Sequence, residues 1–213
     1  MTKEKGDTAQ LQFWRGDFGN SYIDRNAAST EHLRARVAMW AKIMNCLVGD
    51  PPRSILEVGS NVGNNLRALR TLTGADMYAV EPNAEARRIL VEDGVVPADQ
   101  ALAGFAAKVP MADGAVDMAF TSGVLIHIHP DDLLASMCEI HRVARRHVVC
   151  IEYFSDKPEM IPYRGEDDRL FKRDFGGYYL DAFPDLRIVD YGFAWKRLTG
   201  LDNLTWWVLE KRA

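Results

Sequence analysis

Glu57-Val58-Gly59-Ser60-Asn61-Val62-Gly63-Asn64-Asn65 grows out of a short apolar run, SILEV at 54–58. The run lies between the Pro51-Pro52 pair and a glycine-containing turn, and it reads as a buried first strand. A Gly-rich turn between a first strand and a first helix is where an open parallel sheet receives a nucleotide-like ligand. Gly59 permits a tight turn and a close approach of backbone to ligand. Gly63 lets the next helix start against the sheet. The free N–H groups at that helix start suit a carboxylate.

Downstream, Leu66, Leu69 and Leu72 mark a helix that Gly74 ends. MYAVE at 77–81 is a second strand, and residues 84–93 form a helix ending at Gly94. The pattern over 95–103 predicts only a weak third strand. VDMAFTS at 116–122 is a fourth, introduced by Asp113-Gly114. Asp131 and Asp132 open a helix that runs to about 144, with negative charge where the helix dipole favours it. HVVCIEY at 147–153 is a fifth strand. The alternation predicts a parallel sheet with helices on both faces and right-handed crossovers. RIVDYGFAWK (187–196) and LTWWVLE (204–210) have no helical pattern between them, so an antiparallel hairpin closes the sheet.

Upstream, Ser29 or Thr30 caps a helix whose apolar face carries Leu33, Val37, Trp40, Met44 and Leu47. Gly49 and the proline pair stop it. Residues 11–27 hold aromatics and glycines without a clean period and read as an irregular arm. The expected fold is α/β and Rossmann-like: a doubly wound, mostly parallel seven-stranded sheet with a C-terminal antiparallel hairpin and an N-terminal arm or lid. One domain over 1–213 is expected, with 1–50 as a cap on a 51–213 core.

The chain has 213 residues, 47% hydrophobic and 26% charged, which suits a soluble globular protein. A net charge of -4 gives no pull toward nucleic acid or an anionic membrane. No apolar run nears the roughly 18 residues of a membrane span. MTKEKGDTAQ at the start has no apolar signal core. Cys46, Cys138 and Cys150 are read as reduced thiols, and a cytoplasmic protein is expected. His127, His129 and Asp131 are the nearest thing to a metal set, but no third ligand is assured, so no metal is expected.

Glu81 ends the second strand, and an acidic side chain there can accept hydrogen bonds from both ribose hydroxyls of an adenosine. A nicotinamide dinucleotide uses the same geography, but its G-x-G-x-x-G fingerprint has glycine where this chain has Asn61. That glycine admits a pyrophosphate. S-adenosylmethionine (SAM) has no phosphate and does not impose it, and the closing hairpin also favours a SAM enzyme.

E-x-G-x-x-x-G at 57–63, YAVE at 78–81, PMADGAVD at 110–117 and GVLIHI at 123–128 resemble the ordered motifs of class I SAM-dependent methyltransferases. More narrowly, FWRGDFGNSYIDRN (13–26), IPYRGEDDRLFKRDFGG (161–177), DLRIVDYGFAWKR (185–197) and LTWWVLEK (204–211) resemble the methylases associated with pseudaminic acid biosynthesis. The resemblance implies that Glu57, Gly59, Ser60, Asn61 and Gly63 line the methionine and ribose portion of SAM. It implies that Glu81 holds the ribose, with Pro82 and Asn83 beside the adenine. Phe105 and Ala106 stand where the family places an acidic and a small residue; Phe105 departs from that pattern, which leaves the carboxylate contact to the exocyclic amine open and allows stacking instead. Thr121, Ser122 and Gly123 would face the methionine end.

Several residues keep two readings. Phe13, Trp14 and Tyr22 are packing aromatics or a lid whose faces attract the sulfonium. His127 is a packed residue past the fourth strand or a general base; Glu152 and Tyr153 are the other candidate proton acceptors. Tyr163 and Arg164 lie where substrate would be read, and an Arg suits a carboxylate or phosphate. The expected activity is methyl transfer to a small polar acceptor, sugar-derived or from secondary metabolism. Relatives that attack another carbon of SAM, by aminocarboxypropyl transfer or closure to azetidine-2-carboxylate, are the second reading. A non-catalytic SAM-binding regulator is the third.

Overall fold

A computed structural model describes residues 9–25, 29–163 and 166–212. Two short helices, α1 (Ala9–Arg15) and α2 (Asp17–Arg25), precede the longer α3 (Thr30–Asn45). Then come β1 (Ser54–Val58), α4 (Asn64–Leu69), β2 (Asp76–Glu81), α5 (Ala84–Glu92) and β3 (Ala101–Ala103). The next elements are β4 (Val116–Ser122), α6 (Pro130–Val143) and β5 (Ala144–Glu152). A second hairpin follows, of β6 (Glu159–Tyr163) and β7 (Glu166–Lys172), then α7 (Phe175–Ala182). β8 (Leu186–Ala194), the single turn α8 (Lys196–Thr199) and β9 (Leu204–Lys211) end the chain.

The main sheet has seven strands in the order β3-β2-β1-β4-β5-β9-β8. All pairs are parallel except β5–β9 and β8–β9. This is the expected Rossmann-like architecture. Strand order reverses between β1 and β4, so their carboxyl ends leave a crevice.

The central strands β1, β4, β5 and β9 are buried on both faces, and alternate residues feed two cores. Leu56, Ala119, Val148, Cys150, Trp207 and Leu209 belong to one, under Met137, Ile140, Phe175 and Tyr179. Ile55, Met118, Phe120, Val149, Trp206 and Val208 belong to the other, under Trp40, Ile43, Leu66 and Leu69. Burial on both faces is why these strands read as continuous apolar runs.

Three regions differ from the sequence expectation. The arm is helical, not irregular; its two helices, of 7 and 9 residues, meet at Gly16 and are too short for periodicity alone to announce them. Ser29 is the cap of α3, accepting from the His32 amide at 3.2 Å. The charged stretch after Tyr163, for which the sequence predicts no strand, builds β7, paired with β6 through Ile161↔Leu170 and Met160↔Phe171. Its acidic start hides a strand whose apolar partners lie across the turn. α7 was also not foreseen; Asp174 caps it, accepting from the Gly177 amide at 2.9 Å. Among the described residues no helix is long and apolar enough to cross a membrane.

Candidate active site

The loop after β1 sits at the switch point in a left-handed conformation. Gly59 has φ 77°, Asn61 φ 48° and Gly63 φ 75°. A Cβ on Gly59 would lie 2.6 Å from Val124 Cγ2, and one on Gly63 would lie 2.5 Å from Leu90 Cδ2. Asn61 is the one positive-φ residue other than glycine among the described residues. Asparagine tolerates that region better than other side chains, and its amide is pinned by a 2.8 Å bond to Glu81 Oε2.

Glu81 is held at both oxygens, since Oε1 accepts from the Asn83 amide at 2.9 Å. Burial pushes its pKa up, against those two bonds. Asn83 is buried and joins three pieces. Its Oδ1 caps α5 through the Ala86 amide (3.0 Å), and its Nδ2 donates to the Trp14 carbonyl (3.3 Å) and Asn20 Oδ1 (2.9 Å). The arm is thereby tied to the end of β2.

A cavity fills the crevice. Glu57, Gly59, Ser60 and Asn61 form its floor with Glu81 and Pro82; Phe105, Ala106, Ser122 and Gly123 line it further round, and Trp14 and Tyr22 come from the arm. Gly63 and Thr121 line neither this cavity nor its neighbour. Glu57 Oε1 accepts from Asn65 Nδ2 at 2.8 Å, and Asn65 Oδ1 accepts from Trp40 Nε1 at 3.2 Å. Glu57 Oε2 has no partner, and burial pushes the carboxyl up to about 8. Ser60 Oγ and Asn61 Oδ1 are also buried without a partner. Unsatisfied polar atoms on a cavity floor are expensive unless a ligand meets them.

A second cavity adjoins the first. Both are lined by Tyr22, Arg36, Asn64, Asn65, Ser122, Gly123 and His127, and the second continues to Tyr153, Tyr163 and Asp202. His127 stands at the junction. Its Nδ1 lies 2.7 Å from the Arg169 carbonyl, so that nitrogen carries the hydrogen and Nε2 keeps the lone pair. Burial lowers its pKa to about 4 despite that bond. Trp14 and Tyr163 flank the ring at centroid distances of 4.9 and 5.2 Å, and Trp14 meets Tyr22 at 5.3 Å.

Glu152 lines neither cavity. Its Oε1 accepts from the Val124 and Leu125 amides at 3.2 and 3.1 Å, and its Oε2 from Ile126 at 3.4 Å. The carboxylate shapes the turn that carries His127. Tyr153 donates its hydroxyl to Asp202 Oδ2 at 2.7 Å. Burial, then that bond, pushes its pKa up. Arg164 lies outside the described residues. His129 caps α6 through the Asp131 amide at 3.3 Å, and among the described residues no three His, Cys, Asp or Glu side chains form a metal cage.

Sequence reading missed Arg36, Asn65 and Asp202. Arg36 sits three residues after Leu33 and four before Trp40, on the apolar stripe of α3. A cation on that stripe was the available signal. Its guanidinium donates to the His32 carbonyl at 3.4 Å; burial lowers its pKa, with Glu57, Tyr22 and Asp202 acting the other way. Asp202 carried no local signal.

Sheet order, a left-handed glycine loop at the switch point and a carboxylate at the end of β2 define the class I methyltransferase fold, whose cofactor is SAM. Residues 56–151, just under half of the chain, match the family model described as a methyltransferase domain. The chain thus has the class I SAM-dependent methyltransferase fold and carries a methyltransferase domain over 56–151. No curated protein matches the sequence. Among solved structures it is similar to 1,6-didemethyltoxoflavin-N1-methyltransferase of Burkholderia thailandensis, with 20% identity, 93% of this chain and 87% of that chain covered, and a TM-score of 0.68. That structure holds 1,6-didemethyltoxoflavin and S-adenosylhomocysteine. Magnesium protoporphyrin IX methyltransferase of Synechocystis gives 12% identity, 95% and 98% coverage, and 0.67. A SAM-dependent methyltransferase of Leishmania major gives 15%, 94% and 81%, and 0.71. At such identities the likeness is one of fold.

Proposed function

We propose that the chain moves the methyl group of SAM to a small polar acceptor, with cofactor and acceptor in the two joined cavities. The observation that carries this reading is the junction: Ser122, Gly123, Arg36 and His127 face both spaces. The unpartnered Glu57 Oε2, Ser60 Oγ and Asn61 Oδ1 fit a ligand that brings an ammonium and hydroxyls. The finer reading is a sugar-derived acceptor, supported by the resemblance of 13–26, 161–177, 185–197 and 204–211 to methylases associated with pseudaminic acid biosynthesis.

Glu81 takes the ribose hydroxyls, and Pro82, Phe105 and Ala106 border the adenine. Glu57 Oε2 receives the methionyl ammonium and Arg36 the carboxylate. Trp14 and Tyr22 close the site as parts of a cap and offer aromatic faces to the sulfonium. Bound SAM supplies an already activated methyl group, so the protein's work is to orient an acceptor against it and keep water out. His127 Nε2 takes the acceptor's proton. A base held this far below the usual imidazole range is unprotonated at neutral pH, and it captures the proton as the nucleophile acidifies during transfer.

Pure protein incubated with SAM, with and without acceptors, and analysed by mass should yield S-adenosylhomocysteine and a methylated acceptor. Methylthioadenosine without acceptor would sink methyl transfer in favour of cleavage or cyclisation. His127→Asn should lower kcat by about 10²-fold, the general-base range, with SAM affinity unchanged.

Glu57 sets a pH dependence. Its carboxyl is mostly protonated at pH 7 because its pKa lies near 8. An ammonium against Oε2 favours the ionised form, so SAM binding lowers that pKa and expels the proton. At pH 7 roughly one proton per SAM should be released, and affinity should rise with pH toward 8. Calorimetry in buffers of different ionisation enthalpy reads the release. Glu57→Gln should abolish it; equal heats in all buffers with the unmodified protein would remove Glu57 from the ammonium site.

A further inference from the structure

The second cavity has an end that the cofactor cavity does not share. Tyr153, Asp202, Leu170, Leu201 and Leu204 line only the second. The polar centre of that end is Asp202, in the connection between β8 and β9. Tyr153 donates to its Oδ2 at 2.7 Å, and Lys196 Nζ donates to its Oδ1 at 3.1 Å. Each carboxylate oxygen keeps a further lone pair. Those two bonds fix the rotamer of a side chain that is 52% exposed and would otherwise be mobile.

We propose that Asp202, held by Tyr153 and Lys196, is the recognition point for a hydroxyl group on the acceptor, remote from the atom that is methylated, and that the acceptor is a polyhydroxylated molecule. The inference rests on the methyltransferase reading with a sugar-derived acceptor and adds the subsite that reads it. Charge separates a hydroxyl from an amine. Asp202 already faces the Lys196 ammonium and feels the Arg36 guanidinium, and the sulfonium adds a third positive charge to the joined space. A cationic amine would enter against all three. What Asp202 still offers is lone-pair capacity for a neutral donor, and the ordered Tyr153 oxygen offers a lone pair beside it. A sugar-like ring presents hydroxyls on more than one side, so one can lie at His127 while another reaches Asp202. A flat aromatic phenol would leave both polar groups unmet, at a cost in affinity.

The test uses the full chain with SAM and three sets of probes: monosaccharides with their single-deoxy analogues, aliphatic amines, and bicyclic phenols. Release of S-adenosylhomocysteine is followed by mass. At least one monosaccharide should be methylated, and removal of one remote hydroxyl should raise KM about tenfold or more, as loss of a bond to a charged group does. Asp202→Asn and Tyr153→Phe should raise KM for the parent sugar by a similar factor. They should leave kcat within about twofold and leave no further penalty for the deoxy analogue. SAM affinity by calorimetry should be unchanged in both variants, which also reports that they are folded. Turnover of amines or phenols but of no sugar overturns the proposal and leaves the methyltransferase standing. Sugar turnover with KM unmoved in both variants overturns the subsite. Methylthioadenosine as the only product, or no binding of SAM, overturns the underlying reading.

Discussion

Gly59→Ala is expected to abolish measurable cofactor binding and to lower the stability of the fold. Two costs add at this position. At φ 77° an L-residue sits in the left-handed region, at about 1–2 kcal/mol. The new Cβ would also lie 2.6 Å from Val124 Cγ2, with Val124 Cγ1 and Cβ next nearest at 3.2 and 3.5 Å. Overpacking of this kind costs about 1–3 kcal/mol in a rigid site. Relief is blocked from both sides. The Gly59 amide bonds the Val80 carbonyl at 2.7 Å, and Val124 sits on a turn whose amide bonds Glu152. The loop must therefore move, and it carries Ser60 and Asn61 with it. Thermal melts and calorimetry with S-adenosylhomocysteine check both parts. Val124→Ala added to Gly59→Ala removes the two nearest atoms, Cγ2 and Cγ1, but leaves Cβ at 3.5 Å and the backbone strain. The double variant should recover part of the stability and little of the binding. Affinity for S-adenosylhomocysteine within threefold of the unmodified chain in Gly59→Ala would show that the loop does not cradle the cofactor.

What was legible in the sequence follows from where information is local. β1, β4 and β5 are buried on both faces, so each appears as a bare apolar run. The glycine loop is legible because left-handed backbone leaves a residue-type signature, and Asn61 carries it as well as the two glycines do. Glu81 is legible because a strand end fixes its position along the sheet. The arm and the β6–β7 hairpin are not, since their stability comes from contacts across the fold. Phe18 meets Tyr163 at 6.3 Å, and the Arg169 guanidinium covers the Phe13 ring at 5.4 Å. Neither contact has a period. Glu152 misled because a carboxylate at the end of a strand beside the site looks the same whether it faces ligand or backbone amides. Only the fold shows that it binds the Val124, Leu125 and Ile126 amides. Asp202 acquires meaning only when the C-terminal hairpin folds back beside β5 and brings it to Tyr153, an acceptor-side pairing 49 positions apart.

Glu81→Ala should weaken S-adenosylhomocysteine by about 10²-fold or more, the loss of two ribose bonds to a charged acceptor. The substitution has a second effect that a simple ribose clamp would lack. Glu81 is the acceptor for the Asn61 and Asn83 amides at 2.8 and 2.9 Å. Alanine leaves both donors without a partner, and each unsatisfied buried group costs about 1–3 kcal/mol. The Asn61 amide belongs to a residue at φ 48°, so its strained conformation loses its anchor. The apo-protein should therefore lose stability in denaturant melts, before any ligand is added. Burial already raises the Glu81 pKa, so the ionised form is a cost that alanine relieves, and the net stability loss should fall below the sum of the two lost bonds. Glu81→Gln separates the effects. Its Oε1 can still accept from one amide, while its NH2 meets the other donor head on. Stability should fall less than in the alanine variant, and the ribose should keep one acceptor. Affinity for Gln should then lie between the other two. If Gln keeps the affinity of the unmodified chain while Ala loses both affinity and apo-protein stability, Glu81 acts by shaping the loop and not by holding the ribose. Unchanged affinity in Glu81→Ala would remove it from the cofactor site.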